Sequence, residues 1–246
     1  MIRLTGAIKH LIIINAIMFF TPLFLKMDLT NIFALHLPEN NHFGIWQYLT
    51  HIFMHGSTIH ILFNMYGLWA FGSPLEQMWG KNKFLFFYFS AGIGAGLIYT
   101  LVNYYQFNGI YEIFVNAGLD QNEIISILES GRTTDTRLTG AITQEQFSEI
   151  VNLYHTPAVG ASGAIYGVLV AFGLAFPNAK LAMIFFPVPI AAKFFIPGMI
   201  LLDLFFGVTK YSVGNIAHFA HIGGALIGFI IAWHWKKINL NFNSSN

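Results

Sequence analysis

Ser162 stands in the stretch Gly160-Ala161-Ser162-Gly163-Ala164-Ile165-Tyr166-Gly167, at the start of an apolar segment near the middle of the chain. His218-Phe219-Ala220-His221-Ile222-Gly223-Gly224 opens another apolar segment near the C-terminus. A serine hydroxyl is a poor nucleophile at neutral pH and needs an adjacent base. The spacing of the small residues supplies a way to bring the two together. Gly163 and Gly167 are one helical turn apart, as are Gly224 and Gly228, and small residues at that spacing let helix backbones pack closely. If the two stripes face each other, Ser162 Oγ comes within reach of a ring nitrogen of His221. Acyl transfer also needs hydrogen-bond donors for the developing oxyanion. Asn64 offers an amide, and His60, at i and i+4 with it, shares its face. The backbone N–H of Ser162 is a further donor, because the first amides of a helix lack intrahelical partners.

The elements that must hold these groups are membrane helices. The chain has 246 residues, 55% hydrophobic and only 9% charged, against about 25% charged in soluble proteins. Such a composition marks an integral membrane protein. There is no basic cluster with interleaved aromatics, which excludes nucleic acid as a partner. Cysteine is absent, which excludes disulfides and thiolate chemistry.

A helix needs about 20 apolar residues to cross the hydrocarbon core. Six segments qualify: roughly 8–25, 58–79, 84–105, 159–176, 190–208 and 216–235. The first follows Arg3 and Lys9 but shows no small-residue cleavage site, so it reads as a retained span and not a signal peptide. Between the first two spans, residues 43–53 are aromatic and amphipathic, the composition of an interfacial segment. His51 and His55 are expected at its surface. Gly92, Gly94 and Gly96 are expected to permit close packing of the third span. Basic residues set the orientation. With the N-terminus inside, the inner side holds Arg3, Lys9, Lys81, Lys83, Lys180, Lys236 and Lys237, with Lys193 near it; the outer side holds Lys26, Arg132, Arg137 and Lys210. Both termini are then cytoplasmic. Spans two, four and six run in the same direction, and His60, Asn64, Ser162, His218 and His221 all lie near their outer starts. Polar groups inside a bilayer are costly and face the bundle interior or a water-filled cavity. Asp203, in the fifth span, belongs to no motif; it is expected near the outer end, facing water.

Residues 107–157 form a polar insert between the third and fourth spans, with seven acids (Glu112, Asp120, Glu123, Glu129, Asp135, Glu145, Glu149) and two arginines. Short helices are expected over 120–128 and 143–153. Thr143 and Gln146 fit a capping box, and Phe147, Ile150 and Val151 share a face. The insert is expected outside the membrane, as a lid, a docking surface or a solvated spacer. Residues 238–246 read as a polar tail.

Taken together, Gly160-Ala161-Ser162-Gly163, Ala220-His221-Ile222-Gly223 with Gly224 and Gly228, and His60-x-x-x-Asn64 resemble the rhomboid intramembrane serine proteases. The resemblance covers roughly residues 44–235. It implies an all-α, six-span membrane bundle with an interfacial loop after the first helix. It implies a Ser162–His221 dyad with no acid, His60 and Asn64 about the oxyanion, and Tyr166 packed on the His221 ring. The implied substrates are transmembrane segments of other proteins, cut near the outer face of the membrane, with no metal or cofactor. From the compact six-span layout, with no organelle-targeting segment, a bacterial cytoplasmic (inner) membrane is expected. The sequence departs from the family in two places. Many members carry a Trp-Arg pair in the first loop, where this chain has Trp46-Gln47, and the 107–157 insert is longer than usual.

Two other classes stay open. One is a rhomboid-like protein that binds helices without cutting them; loss of the serine or histidine is its usual mark, and both are present. The other is a metal transporter or oxidoreductase, since ten histidines are available and imidazole suits Zn, Cu, Fe and Ni. Against it, Asp203 is read as the only intramembrane carboxylate, and the spans hold no His-x-x-Glu pairing of the carboxylate-bridged bundle type.

Overall fold

The computed structural model describes residues 3–183, 186–209 and 217–244. The described residues are 74% helical. Helix α1 (Gly6–Leu25) is apolar around its circumference, with nothing acidic in its first turn. Its N-terminal amides are satisfied from another helix instead. Glu76 accepts from Ala7 N at 2.7 Å, from Ile8 N at 3.0 Å and from the Thr5 hydroxyl. An anion at a helix N-terminus is favoured by the macrodipole and the free amides. Glu76→Gln keeps the shape but removes the charge and turns one acceptor into a donor facing N–H groups. It should destabilise the fold by about 1–3 kcal/mol, read as a lower melting temperature in detergent; an unchanged melting curve would remove this role.

After α1 come two single-turn helices, α2 (Thr30–Phe33) and α3 (Gln47–Thr50), with a 3₁₀ turn His51–Phe53. Gln47, the residue after Trp46, is fully buried. Its amide donates to the carbonyl of His42 at 2.7 Å and, more loosely, of Ile32 at 3.3 Å, while its oxygen accepts from His36 N at 3.1 Å. A neutral amide thus ties the loop together.

The second long helical run is α4 (Thr58–Gly67), a π turn (Leu68–Gly72) and α5 (Ser73–Trp79). Pro74 explains the wide turn: it has no N–H to give and its ring crowds the preceding turn. Helix α6 (Lys81–Asn116) has 36 residues, about 54 Å of helix against about 30 Å of hydrocarbon. The third segment was expected to end near 105, with a polar insert beginning at 107. Instead the helix continues, because Phe107, Ile110 and Phe114 form an apolar stripe that polar neighbours hide from a hydropathy window.

That stripe founds a second core with Leu119, Ile124, Leu128, Leu138, Ile150 and Tyr154. Helices α7 (Gln121–Ser130) and α8 (Gln144–His155) supply its other walls, each opened by a capping box, Asp120 with Glu123 and Thr143 with Gln146. The insert is pinned to the first loop by paired backbone bonds between Leu35 and Ala158, and by Asn40 Nδ2 donating to Tyr154 O at 2.8 Å.

Helix α9 (Ser162–Ala175) is only 14 residues long. It begins later than the expected 159, because residues 157–161 are extended or turned, with Gly160 at φ 120°. A small antiparallel hairpin follows, β1 (Lys180–Met183) and β2 (Phe186–Ala191). It leads into α10 (Ala192–Val208). The last helix, α11 (His218–Ser244), carries its backbone through most of the expected polar tail. Lys210, Ile216 and residues 245–246 lie outside the described residues. By length and composition alone, two of the described helices, Gly6–Leu25 and Lys81–Asn116, qualify as membrane spans. Helix α9 lies at the centre, packed on α11 and α6.

Candidate active site

The two glycine stripes face each other. A methyl group built on Gly224 would overlap the carbonyl of Gly163, and one on Gly228 would overlap Gly167. A methyl on Gly167 would lie 2.7 Å from the Ala91 Cβ of α6 and 2.9 Å from Gly224 O at once. Backbone-to-backbone contact of this kind fixes the register of α9 against α11. Ser162 adjoins one stripe and His221 lies a turn before the other, so register puts the side chains side by side. His221 Nε2 lies 2.9 Å from Ser162 Oγ. The Tyr166 ring stacks on the imidazole at 4.2 Å between centroids, with 8° between planes.

The start of α9 is built in an unusual way. Its cap position is Ala161, which offers no side-chain acceptor, and the first helical bond from this turn is Ile165 N to Ala161 O. The amides of Ser162, Gly163 and Ala164 therefore have no helical carbonyl to bond. Gly160 precedes them at a φ that favours glycine, and a side chain there would also strike the His60 ring at 2.8 Å. Gly160 N donates to His51 O at 2.9 Å, which ties this turn to the first loop.

Ser57 caps α4 by accepting from His60 N at 3.2 Å, so His60 sits in the first helical turn. Asn64 is buried and gives one amide hydrogen to His60 O at 2.9 Å, leaving a second for another acceptor. His60 has no side-chain hydrogen bond among the described residues; its ring lies edge-on to His55, with centroids 5.0 Å apart. Ser162, His221, His60, Asn64 and Tyr166 all line one cavity of about 1890 Å³. One wall is α8, through Glu149 and Asn152. The cavity's sides are Phe63 and Tyr66 of α4, and Phe195 and Met199 of α10.

Three sequence expectations are corrected here. His51 is buried, with Nδ1 on Gln47 O at 2.8 Å. His55 lines the cavity with both ring nitrogens unpartnered. Neither is a surface residue, and burial pushes both down to about 4, so both are neutral at pH 7. The third correction is Asp203. It is 7% exposed, not facing water. Its Oδ1 lies 2.6 Å from His218 Nδ1 and 3.2 Å from His221 Nδ1, and Oδ2 accepts from the Tyr166 hydroxyl. A single carboxylate in the apolar run of α10 was the signal for it. Donor atoms of Asp203, His218 and His221 all lie within 4.8 Å of one another, close enough to hold a cation as well as protons.

The remaining glycines of α6 are seats for neighbours. Gly92 faces Ile52 and Ala164, Gly94 faces Ile227, and Gly96 faces His51 and Leu35.

The model of the Rhomboid domain matches residues 42–115 and 122–237. The chain is 25% identical over 185 residues to "Rhomboid protein 1, mitochondrial" of Saccharomyces cerevisiae, covering 75% of this chain and 40% of that protein. It is 29% identical over 188 residues to "Rhomboid protease GluP" of Bacillus subtilis, covering 76% of this chain and 25% of that one. It is 27% identical over 200 residues to "Rhomboid protease AarA" of Providencia stuartii, covering 76% and 54%. The matched regions thus span between 25% and 54% of these relatives' own lengths.

Proposed function

The chain belongs to the rhomboid family, and from that premise we propose that it is an intramembrane serine endopeptidase. Ser162 is the nucleophile and His221 the general base, acting on peptide bonds in or near transmembrane segments of other membrane proteins. The observation that carries this reading is the 2.9 Å contact of His221 Nε2 with Ser162 Oγ at the floor of an open cavity.

The reaction follows from the groups around that contact. Ser162 Oγ attacks the carbonyl carbon as its proton passes to His221 Nε2. The oxyanion forms beside the uncapped amides at the start of α9, within reach of the free Asn64 N–H and the His60 ring. His221 returns the proton to the leaving amine, and a water activated by His221 then hydrolyses the acyl-enzyme. The cavity supplies the water. Its side walls on α4 and α10 leave a route for a substrate helix between them, and its wall on α8 gives the 107–157 insert a place along the substrate's path. A helical peptide bond is shielded by its own hydrogen bonding, so substrates with Gly or Pro near the cut should be favoured.

In this reading α1, α4 with α5, α6, α9, α10 and α11 are the six spans, and both termini face the cytoplasm of a bacterial cell. Supporting the orientation, Lys83 lies over Trp235 at 4.3 Å and Lys236 donates to Leu174 O at 3.1 Å, which gathers basic and aromatic groups at one end of the bundle.

The test is cleavage of a single-span reporter by the purified protein, with fluorophosphonate labelling read by mass spectrometry. Labelling at Ser162 with cleavage is the expected result. Failure of both would move the chain to the helix-binding alternative. The Asp203, His218 and His221 donors favour one second reading, a metal site. Stoichiometric metal in the purified protein would support that reading and oppose the peptidase.

A further inference from the structure

We infer that Asp203 is a positioning residue for the His221 base, held in place by Tyr166 and His218. The inference rests on the peptidase reading and adds an acid where the resemblance implies none.

The placement comes from chain direction. Helix α10 runs opposite to α9 and α11, so a residue in its last third comes to the level of their first turns. Asp203 lies five residues from the end of α10, while Ser162 and His221 lie in the first turns of the other two helices. A carboxylate in this apolar helix is costly to bury unless its oxygens are occupied, and among the described residues its bonds go toward the site. Oδ1 meets both histidines and Oδ2 takes the Tyr166 hydroxyl.

The chemistry follows from what each atom can do. An ionised carboxylate accepts and cannot donate, so the Nδ1 of His221 facing it must carry the ring's hydrogen. Nε2 then presents its lone pair to Ser162 Oγ at 2.9 Å, the tautomer a general base needs. When the Oγ–H bond breaks and the Nε2–H bond forms, the imidazolium stands 3.2 Å from a carboxylate that keeps its charge. Asp203 takes no proton and touches no reacting atom. Tyr166 serves twice: its ring fixes the plane of the imidazole, and its hydroxyl fixes the carboxylate.

The test is Asp203→Asn in the full chain. The new amide can donate to His221 Nδ1 and so drive the ring hydrogen onto Nε2, where it faces Ser162 as a donor. The expected result is a fall in kcat of about 10²- to 10⁴-fold with KM unchanged, and 15N shifts of His221 that report the exchanged tautomer. A purely structural role would leave the tautomer as it was. Wild-type kcat and tautomer in the folded variant would overturn the inference. Should Asp203→Asn fail to fold, Tyr166→Phe removes only the hydroxyl on Asp203 and keeps the stacked ring. It should lower kcat by about tenfold at constant KM; wild-type kcat there would equally overturn the inference. Fluorophosphonate labelling separates the two levels. An unlabelled wild type would overturn the peptidase reading and this inference with it, whereas a labelled wild type beside an unimpaired Asp203→Asn would overturn this inference alone.

Discussion

Ser162→Ala and His221→Ala should each abolish cleavage, lowering turnover by about 10⁴- to 10⁶-fold, with the helical fold and melting temperature near those of the parent protein. The magnitude follows from the shared step. Nucleophile and base act as one unit, so loss of either removes nearly all of the covalent route. At about 1.4 kcal/mol per factor of ten, this is about 5–8 kcal/mol of lost transition-state stabilisation. The fold should survive because both side chains are half-buried at the cavity floor, outside the stripe that sets helix register. Reporter cleavage followed by quantitative gel or mass spectrometry has the range to measure the loss. Residual activity within tenfold of the parent in either variant would remove that residue from the mechanism. The double variant should be no worse than the singles; additive losses would mean that the two do not act on the same step.

The second large effect is expected away from the reacting atoms. Gly224→Ala places a methyl group where the Gly163 carbonyl already lies, so α9 and α11 must separate. Overpacking of a close-packed interior costs about 1–3 kcal/mol. Activity should suffer more than stability, because the same separation lengthens the 2.9 Å Ser162–His221 contact. A misplacement of about 1 Å can cost about 10²-fold in rate. The expected result is therefore a loss of about 10²-fold or more in turnover, with a lowered melting temperature. Gly198→Ala in α10 is the control: nothing lies within 4 Å of a methyl there, and its replacement should leave both readouts unchanged. Parent-level turnover in Gly224→Ala would show that the helix contact does not set the geometry of the pair.

These expectations mark which parts of the molecule were legible in the chain. The sequence by itself determined the nature of the parts. One-turn spacing of Gly163 with Gly167 and of Gly224 with Gly228 specified faces on which two backbones can touch. Ser162 and His221 were placed by their distance from those stripes. The Thr143–Gln146 box was legible because its bonds join residues three apart. All of this is local, written in the period of a single helix.

Tertiary structure decided what no single helix contains. Asp203 is 37 residues from Tyr166 and 18 from His221, and only the reversed direction of α10 brings its last third to the start of the other two helices. Read alone, a polar side chain near a helix end is most simply solvated, which is why its burial was missed. His51 was misplaced for the same reason, its neighbours Gly96 and Gly160 lying far along the chain. Helix α6 outran its hydropathy window because Phe107, Ile110 and Phe114 are covered by α7 and α8, which follow them in sequence. Spacing fixes which face of a helix is apolar or small. Which neighbour covers that face, and at what level along it, depends on helix direction and packing, and these exist only once the chain has folded.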